Sequence, residues 1–212
     1  MLLYFSPTSP FVRKVLVLAD EVGLRDAITL RPVTVAPTSG DSTFAARNPL
    51  GKIPALELDD GTVLYDSRVI CEYLDTLHTG RRMVPASGPE RWTTLRTQAL
   101  ADGATDAAVL VRYETHLRPE DRRWSDWTEG QCQKIIHALG ALDAAAASFG
   151  DQVDLGQIAA ACAVGYLLFR DQLAGCPSGP RTVESIAPRL MAFFRRFSER
   201  PSMLATMPSA PQ

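Results

Sequence analysis

The sequence has almost no excess of charge of either sign. It contains 22 basic and 24 acidic side chains in 212 residues, which gives a formal net charge of −2. Proteins that bind nucleic acid tightly usually carry a concentrated positive field, because Lys and Arg make the phosphate contacts. We therefore expect no nucleic-acid partner.

The sequence also lacks a long hydrophobic run. No stretch approaches the ~18 consecutive apolar residues that would span a bilayer, so we expect no membrane partner. The apolar start, Met1 to Phe5, leads straight into Ser6-Pro7, without the basic region and cleavage site of a secretory leader. These features predict a cytoplasmic protein.

Closely spaced cysteines are missing as well. The four cysteines form no C-x-x-C pair and no cluster with a histidine; they are Cys71, Cys132, Cys162 and Cys176. Zinc sites and redox motifs need Cys and His residues at short spacing. The pattern predicts no metal site, no disulfide framework and reduced thiols.

The first third of the chain alternates between strand-like and helix-like hydrophobic periodicity. The predicted order is β-α-β-(α)-β-β-α, with strands at Leu2 to Phe5, Ile28 to Val35, Ala55 to Leu58 and Thr62 to Leu64. Gly23 suits the left-handed end of the first helix. Pro32 favours an interrupted or edge strand, and Asp59-Asp60-Gly61 predicts a hairpin turn.

Strand signals stop near residue 79, and the rest of the chain has helical periodicity. Pro89 is placed to open a helix after a Pro- and Gly-rich stretch. Helices are predicted near residues 89–116, 125–148, 155–171 and 183–199. We expect an α/β domain over 1–79, a linker over 80–88 and an all-helical domain over 89–212.

Three short segments at the ends of elements in the α/β domain are candidates for a binding site. In the first, Ser9 is placed as the N-cap of a helix that opens at Pro10. It could be no more than a cap. The same geometry nevertheless sets a hydroxyl beside unpaired backbone N–H groups and the positive end of a helix, a place that stabilises an anion such as a thiolate.

The second segment runs from Asn48 to Leu56 and precedes the third strand. It could be an ordinary Pro- and Gly-rich loop. If the Ile53-Pro54 bond were cis, however, the backbone N–H and C=O of Ile53 would face outward and could clamp a peptide ligand.

The third segment is Tyr65-Asp66-Ser67-Arg68, where either Asp66 or Ser67 can cap the next helix. This too could be structural only. The helix N–H groups would also suit a carboxylate, and an acidic side chain beside them could accept from an ammonium group. An amino-acid zwitterion fits both.

Taken together, these residues resemble the glutathione transferase family, whose serine-type members carry S-x-x-S-P-F-x-x-R-K near the start, here Ser6 to Lys14. The resemblance extends through Asn48 to Pro54, Asp66-Ser67 and the tail from Arg200 to Pro208. It implies a thioredoxin-like N-terminal domain, an all-helical C-terminal domain, a homodimer and a cis Pro54.

The resemblance also implies the roles of individual residues toward glutathione. Ser9 is expected to donate a hydrogen bond to the thiolate, as the catalytic residue but not a covalent nucleophile, with Phe11 in the wall near the sulfur. The backbone of Ile53, before Pro54, is expected to pair with the cysteinyl part. The remaining contacts are Lys52 to the glycyl end, Ser67 to the γ-glutamyl carboxylate and Asp66 to the amine.

The helical domain offers weaker signals. Asp102, Asp106 and Tyr113 can share a face of its first helix and are candidates for the electrophile site, although a solvated helix face explains the same spacing. The resemblance further implies a cap at the core helix. Asp154 can fill it, and Gln157 at the third position can reach back as in a capping box.

The resemblance implies a detoxification-type transferase that binds glutathione as a thiolate co-substrate and conjugates it to a small hydrophobic electrophile, or uses it to isomerise or reduce one. The alternative is a glutathione-binding or regulatory protein that has lost catalysis. Disulfide exchange is a minor option, because Ser6 and Ser9 stand where a C-x-x-C pair would be.

Overall fold

The computed structural model describes residues 1–40, 42–179 and 181–209. The chain forms two compact units. The first comprises Met1–Val84 and the segment that begins at Pro201, and the second comprises Pro85–Arg200.

The first unit is built on a four-stranded sheet with the order β2-β1-β3-β4. The strands are β1 (Leu2–Phe5), β2 (Thr29–Pro32), β3 (Ala55–Glu57) and β4 (Val63–Leu64). β1 is parallel to β2 and antiparallel to β3, and β3 is antiparallel to β4. The edge position of the strand that holds Pro32 and the hairpin at Asp59-Asp60-Gly61 are confirmed, because Pro32 ends an outer strand and β3 and β4 pair across that turn.

Three helices accompany the sheet: α1 (Pro10–Glu21), α2 (Ser42–Ala45) and α3 (Ser67–Leu74). Gly23 has φ +72°, and the next N–H, of Leu24, returns to the Ala19 carbonyl at 2.8 Å. Only glycine adopts that φ readily, so the predicted left-handed end of α1 is confirmed.

The alternation of side chains along β1 gives the first unit a core on each face of its sheet. Leu3 is fully buried, as are Val15 of α1 and Ile70 of α3, and α1 packs against α3. On the opposite face the Tyr4 ring contacts the Phe44 ring of α2 at a centroid distance of 5.1 Å.

The second unit contains helices only, within the residues described. They are α4 (Gly88–His116), α5 (Ser125–Ala146), α6 (Leu155–Phe169), α7 (Val183–Ile186) and α8 (Pro188–Phe197). The prediction of one helix over 183–199 is wrong. Ala187 lies outside the α region at φ −139° and ψ 66°, because the ring of Pro188 disfavours helical geometry in the residue before it.

Helix α6 is the centre of the second unit and runs parallel to α4. Its residues are buried from Leu155 to Leu167. Near the start of both helices, the Thr94 hydroxyl donates to the Asp154 carboxylate at 3.2 Å. A Cβ at Gly156 would lie 2.9 Å from the Thr94 carbonyl oxygen, so the two backbones approach at a point that only glycine allows.

Cys132 of α5 and Cys176, in the connection after α6, form a disulfide. The prediction of reduced thiols without a disulfide is therefore wrong for this pair. The two residues are 44 positions apart and are brought together by packing, which local cysteine spacing does not reveal. Cys71 and Cys162 are buried.

A last short helix, α9 (Pro201–Ala205), belongs to the first unit. The sequence predicts one helical domain over 89–212, of which residues 210–212 lie outside the described residues. Two long-range contacts explain the difference. The Arg13 guanidinium donates to the Met203 carbonyl at 3.0 Å, and the Ser202 hydroxyl donates to Glu21 at 2.5 Å.

The described residues contain no helix with the length and apolar character that crossing a membrane requires. Nor do they contain a group of three or more His, Cys, Asp or Glu side chains arranged to hold a metal ion.

Candidate functional site

The strand register brings the three predicted segments to one end of the sheet. Tyr4, near the end of β1, lies opposite Ala55, at the start of β3. Leu56 in turn lies opposite Leu64, the last residue of β4. The loop after β1, the loop before β3 and the loop after β4 therefore emerge side by side, within the first unit.

Ser9 caps helix α1 as predicted. Its Oγ accepts a hydrogen bond from the Val12 N–H at 3.3 Å. A hydroxyl that accepts this bond keeps its own proton available to donate elsewhere. Pro10 has no N–H, and no described residue accepts from the Phe11 N–H, so a second donor is open beside the Ser9 hydroxyl.

The segment before Ser9 is held by its own turn. The Ser9 N–H donates to the Ser6 carbonyl at 3.1 Å, and the Ser6 and Thr8 hydroxyl oxygens lie 3.2 Å apart. Phe11 is half-buried, with the Lys14 ammonium 5.9 Å from its ring centroid. The turn fixes the direction in which α1 begins.

Asn48 organises the second segment. Its amide donates to the Lys52 carbonyl at 2.7 Å, and its side-chain oxygen accepts from the Leu50 N–H at 3.0 Å. The Ile53–Pro54 bond is cis, which confirms that prediction. Among the described residues nothing hydrogen-bonds the Ile53 backbone N–H or C=O, so both are available to a ligand. The Lys52 side chain is exposed.

Asp66, rather than Ser67, caps helix α3. Its Oδ1 accepts from the Arg68 N–H at 2.8 Å, and its Oδ2 lies 3.6 Å from the Arg68 Nε. The Tyr65–Asp66 peptide bond is also cis, a feature that the sequence analysis did not predict. Ser67 is buried, and within the described chain its N–H and hydroxyl have no hydrogen-bond partner.

These three segments offer complementary chemistry. A hydroxyl and an N–H at the start of α1 can stabilise an anion, an outward-facing backbone pair at Ile53 can align a peptide, and α3 presents N–H groups beside a carboxylate. A ligand with a thiolate, a peptide unit and an amino-acid zwitterion meets all three.

The three candidate residues of the helical unit differ in their exposure to solvent. Asp102 is buried at 4% exposure, Asp106 is exposed and Tyr113 is half-buried, with a pKa that burial raises above its usual value. The alternative of a solvated helix face therefore does not hold for Asp102, because its side chain is buried. The structure does not place these three side chains in one common environment.

The cap of helix α6 differs from the sequence expectation. Asp154 accepts from the Gln157 N–H at 2.8 Å, so the cap itself is confirmed. The reciprocal half of the capping box is wrong. The Gln157 amide donates to the Gly150 carbonyl, and its oxygen is buried without a hydrogen-bond partner in the described chain.

Sequence reasoning missed one group of side chains in the second unit. Arg112 and Tyr113 near the end of α4 lie beside Tyr166 and Arg170 at the end of α6, close enough to affect one another's ionisation. Arg112 and Tyr113 lie on α4, the helix that the sequence marks as a candidate for the electrophile site. Their neighbours are more than fifty positions away, and the pairing follows only from the parallel packing of α4 and α6.

Comparisons with known proteins agree with this geometry. Residues 8–77 match the family described as the glutathione S-transferase, N-terminal domain. The uncharacterized GST-like protein YibF of Escherichia coli K12 is 36% identical over 190 residues, which cover 88% of this chain and 92% of that protein.

Two solved structures of glutathione transferase family members from Pseudomonas fluorescens Pf-5 are also similar. One, with bound glutathione, is 45% identical, has a TM-score of 0.92 and covers 99% of both chains. The other, with bound S-(propanoic acid)-glutathione, is 44% identical, has a TM-score of 0.87 and covers 99% of this chain and 100% of that one.

Proposed function

The chain belongs to the glutathione transferase family, and on that basis we propose that it binds glutathione as a thiolate and transfers it to a small hydrophobic electrophile. The observation that carries the proposal is the convergence of the three loops at one end of the sheet, with Ser9 at the start of α1. The glutathione bound to the similar Pseudomonas fluorescens protein supports it.

In this proposal, Ser9 and the start of α1 keep the sulfur ionised at neutral pH. Lowering a thiol pKa from about 8.5 by about two units requires roughly 2.7 kcal/mol. A hydrogen bond to a charged group contributes about 1.5–3 kcal/mol and a helix N-terminus about 0.3–1 kcal/mol. The two together are sufficient, without a metal ion or a cationic side chain.

The other contacts hold the tripeptide. The Ile53 backbone aligns the cysteinyl unit, with Pro54 behind it. The Ser67 N–H and hydroxyl take the γ-glutamyl carboxylate, and the exposed Asp66 carboxylate takes the ammonium group. Lys52 reaches toward the glycyl carboxylate and Phe11 forms part of the wall near the sulfur.

The reaction is nucleophilic attack by the bound sulfur. A sulfur–carbon bond forms as the electrophile either loses a leaving group with its electron pair or accepts a proton after addition. The S-(propanoic acid)-glutathione bound to the second Pseudomonas fluorescens structure supports this class of product. Asp102, Asp106 and Tyr113 stay our candidates for the electrophile side; isomerisation or reduction would use the same thiolate.

We extend the proposal to a cytoplasmic homodimer. Trp92 of α4 and Trp124, just before α5, are 68% and 63% exposed, which is unusual for tryptophan and supports a covering partner. A monomer mass in light scattering at micromolar concentration would reject the dimer.

Calorimetric titration of glutathione tests the binding step. We expect binding, with an affinity about tenfold lower in Ser67→Ala, because a hydrogen-bonding group for a carboxylate is lost. Ser148→Ala is the matched control, since Ser148 is exposed and bonds only within its own turn. Absence of binding at millimolar glutathione, or equal losses in both variants, would contradict the proposal.

Turnover separates the enzyme from a binding protein of the same fold. We expect conjugation with at least one member of a panel of aryl halides, epoxides, isothiocyanates and unsaturated carbonyls, or reduction of a peroxide with oxidation of two glutathione molecules to the disulfide. Tight glutathione binding without turnover on any of them would favour the regulatory alternative.

A further inference from the structure

The Cys132–Cys176 disulfide fastens a surface segment to a buried position of α5. Cys132 is fully buried in that helix. Cys176 belongs to segment 170–179, which follows α6, and its neighbours Gly175 and Pro177 are exposed. The disulfide therefore lies where a segment at the surface meets the interior of the second unit.

One further attachment runs from the described part of this segment to α5. The Ser178 N–H donates to the Glu129 carboxylate at 2.9 Å, about one turn before Cys132, at a position exposed to solvent. Such a bond adds little to stability, because water can replace either partner. Leu173 is buried, and its carbonyl accepts from the Arg181 N–H at 3.2 Å. The disulfide is thus the strongest tie between segment 170–179 and α5.

The start of segment 170–179 has an unfavourable local structure. Asp171 has φ +47°, a left-handed conformation that is uncommon for a residue other than glycine. On either side of it, the Nε of Arg170 and the Oε1 of Gln172 are buried without a hydrogen-bond partner in the described chain. A buried polar group without a partner has lost its water and gained nothing in exchange. Opening of the segment would return both groups to water.

The disulfide opposes this opening, because segment 170–179 cannot leave α5 while Cys176 is bonded to Cys132. After reduction, the burial of Leu173 and the Ser178–Glu129 hydrogen bond are left to hold the segment closed. The hydration of Arg170 and Gln172 favours the open state. The two oxidation states of the cysteine pair should therefore differ in the conformation of segment 170–179.

We propose that Cys132–Cys176 is a site of thiol–disulfide exchange with glutathione in solution, and that its reduction opens segment 170–179. Disulfides are rare in the cytoplasm, the location proposed above, and those that occur there usually sense or carry redox changes. The cysteine pair would accordingly couple the conformation of the second unit to the ratio of reduced to oxidised glutathione. This role is separate from the thiolate site proposed in the first unit.

The exchange takes two steps. The thiolate of one glutathione attacks the Cys176 sulfur and forms a mixed disulfide, while the Cys132 sulfur leaves with the electron pair and takes up a proton. A second glutathione thiolate attacks the glutathione sulfur of the mixed disulfide. Oxidised glutathione is released, and the Cys176 sulfur leaves with the electron pair and takes up a proton. Two glutathione molecules are oxidised as one protein disulfide is reduced to two thiols.

The first test equilibrates the full chain, without denaturant, with millimolar glutathione at different ratios of the reduced to the oxidised form. Alkylation after an acid quench, followed by peptide mass spectrometry, measures the thiols of Cys132 and Cys176. We expect both to be reduced at high ratios and to reoxidise when oxidised glutathione is added. Hydrogen exchange should show the peptides of segment 170–179 losing more protection than the rest of residues 85–200.

Two results of this test would overturn the proposal. One is a pair of cysteines that stays oxidised at every ratio unless denaturant is present. The other is reduction of both cysteines with unchanged exchange in segment 170–179. The double variant Cys132→Ala/Cys176→Ala gives the exchange pattern of the open segment at all ratios, and a closed pattern in it would count equally against the proposal.

Gln172→Met tests the cause of the opening. Methionine has a similar length but lacks the buried oxygen, so the closed segment should be favoured. The squared concentration of reduced glutathione divided by that of oxidised glutathione, taken at half reduction, should rise about tenfold. Gln152→Met, at an exposed position of the same unit, is the control and should leave this value unchanged. An unchanged value in Gln172→Met, or the same rise in both variants, would contradict the proposed opening.

Discussion

The proposed binding groups of the first unit lie at the beginnings of helices α1 and α3, where short segments make their own hydrogen bonds. The second unit depends instead on contacts between residues far apart in the chain. Ser9 and Ser67 add hydroxyls to N–H groups that already favour an anion. In the second unit, the disulfide joins residues 44 positions apart, and the Thr94–Asp154 hydrogen bond joins residues 60 positions apart. The proposed site of the first unit therefore depends on local structure, whereas the second unit depends on helix packing.

The two units should therefore differ in how well they tolerate substitutions. A helix N-terminus keeps its N–H groups in almost any substitution that preserves the helix, so the first site depends on local structure. The register of α4 and α6, by contrast, is set by the close approach at Gly156 and the contact between Thr94 and Asp154. Perturbing the packing of the second unit should lower the stability of that unit and leave the proposed site of the first unit intact.

The largest expected effect comes from the disulfide of the second unit. Reducing Cys132–Cys176 opens a loop of 44 residues, for which chain entropy gives a loss of about 4 kcal/mol in the free energy of unfolding. Hydrogen exchange under native conditions should show protection falling within 85–200 on adding dithiothreitol, with little change within 1–84.

The control for this measurement is the double variant Cys132→Ala/Cys176→Ala, whose exchange should not respond to dithiothreitol. If reduction of the wild type released two further thiols but left exchange throughout the second unit unchanged, the disulfide would not be a stabilising element.

Two glycine substitutions test the register of α4 and α6. Gly156→Ala places a Cβ 2.9 Å from the Thr94 carbonyl oxygen and from the Thr97 Cβ, so we expect a loss of about 1–3 kcal/mol in stability. Gly140→Ala in α5 meets nothing within 4 Å and should gain about 0.5–1 kcal/mol through helix propensity. Urea denaturation gives the free energy of unfolding of both variants. Changes of the same sign in that free energy would contradict the conclusion that α4 and α6 approach closely at Gly156.

Much of the first unit could be predicted from sequence because its signals are local. Ser9-Pro10 marks a helix start, Asp59-Asp60-Gly61 marks a turn, and both are found in the structure. Pro188 was a local signal as well, and giving it full weight would have predicted the break between α7 and α8. Local chemistry is enough where one segment makes its own hydrogen bonds.

The features that were missed depend on residues far apart in the chain. Helix packing brings Cys132 to Cys176 and Arg112 close to Arg170. In neither case does the sequence around one residue identify the other. The same holds for the return of the tail to the first unit, where Arg13 meets Met203 across 190 positions. A single sequence contains these residues but not their proximity.

The most direct test of the central claim is the pKa of glutathione bound to the protein, followed by the ultraviolet absorbance of the thiolate across pH. In the wild type, we expect the thiol pKa of bound glutathione to lie clearly below that of free glutathione. In Ser9→Ala, we expect glutathione to stay bound and its thiol pKa to rise by about one unit, because one hydrogen bond to the charged sulfur is lost. A bound thiol that ionises like free glutathione, or a pKa unchanged in Ser9→Ala, would contradict the role assigned to the start of α1.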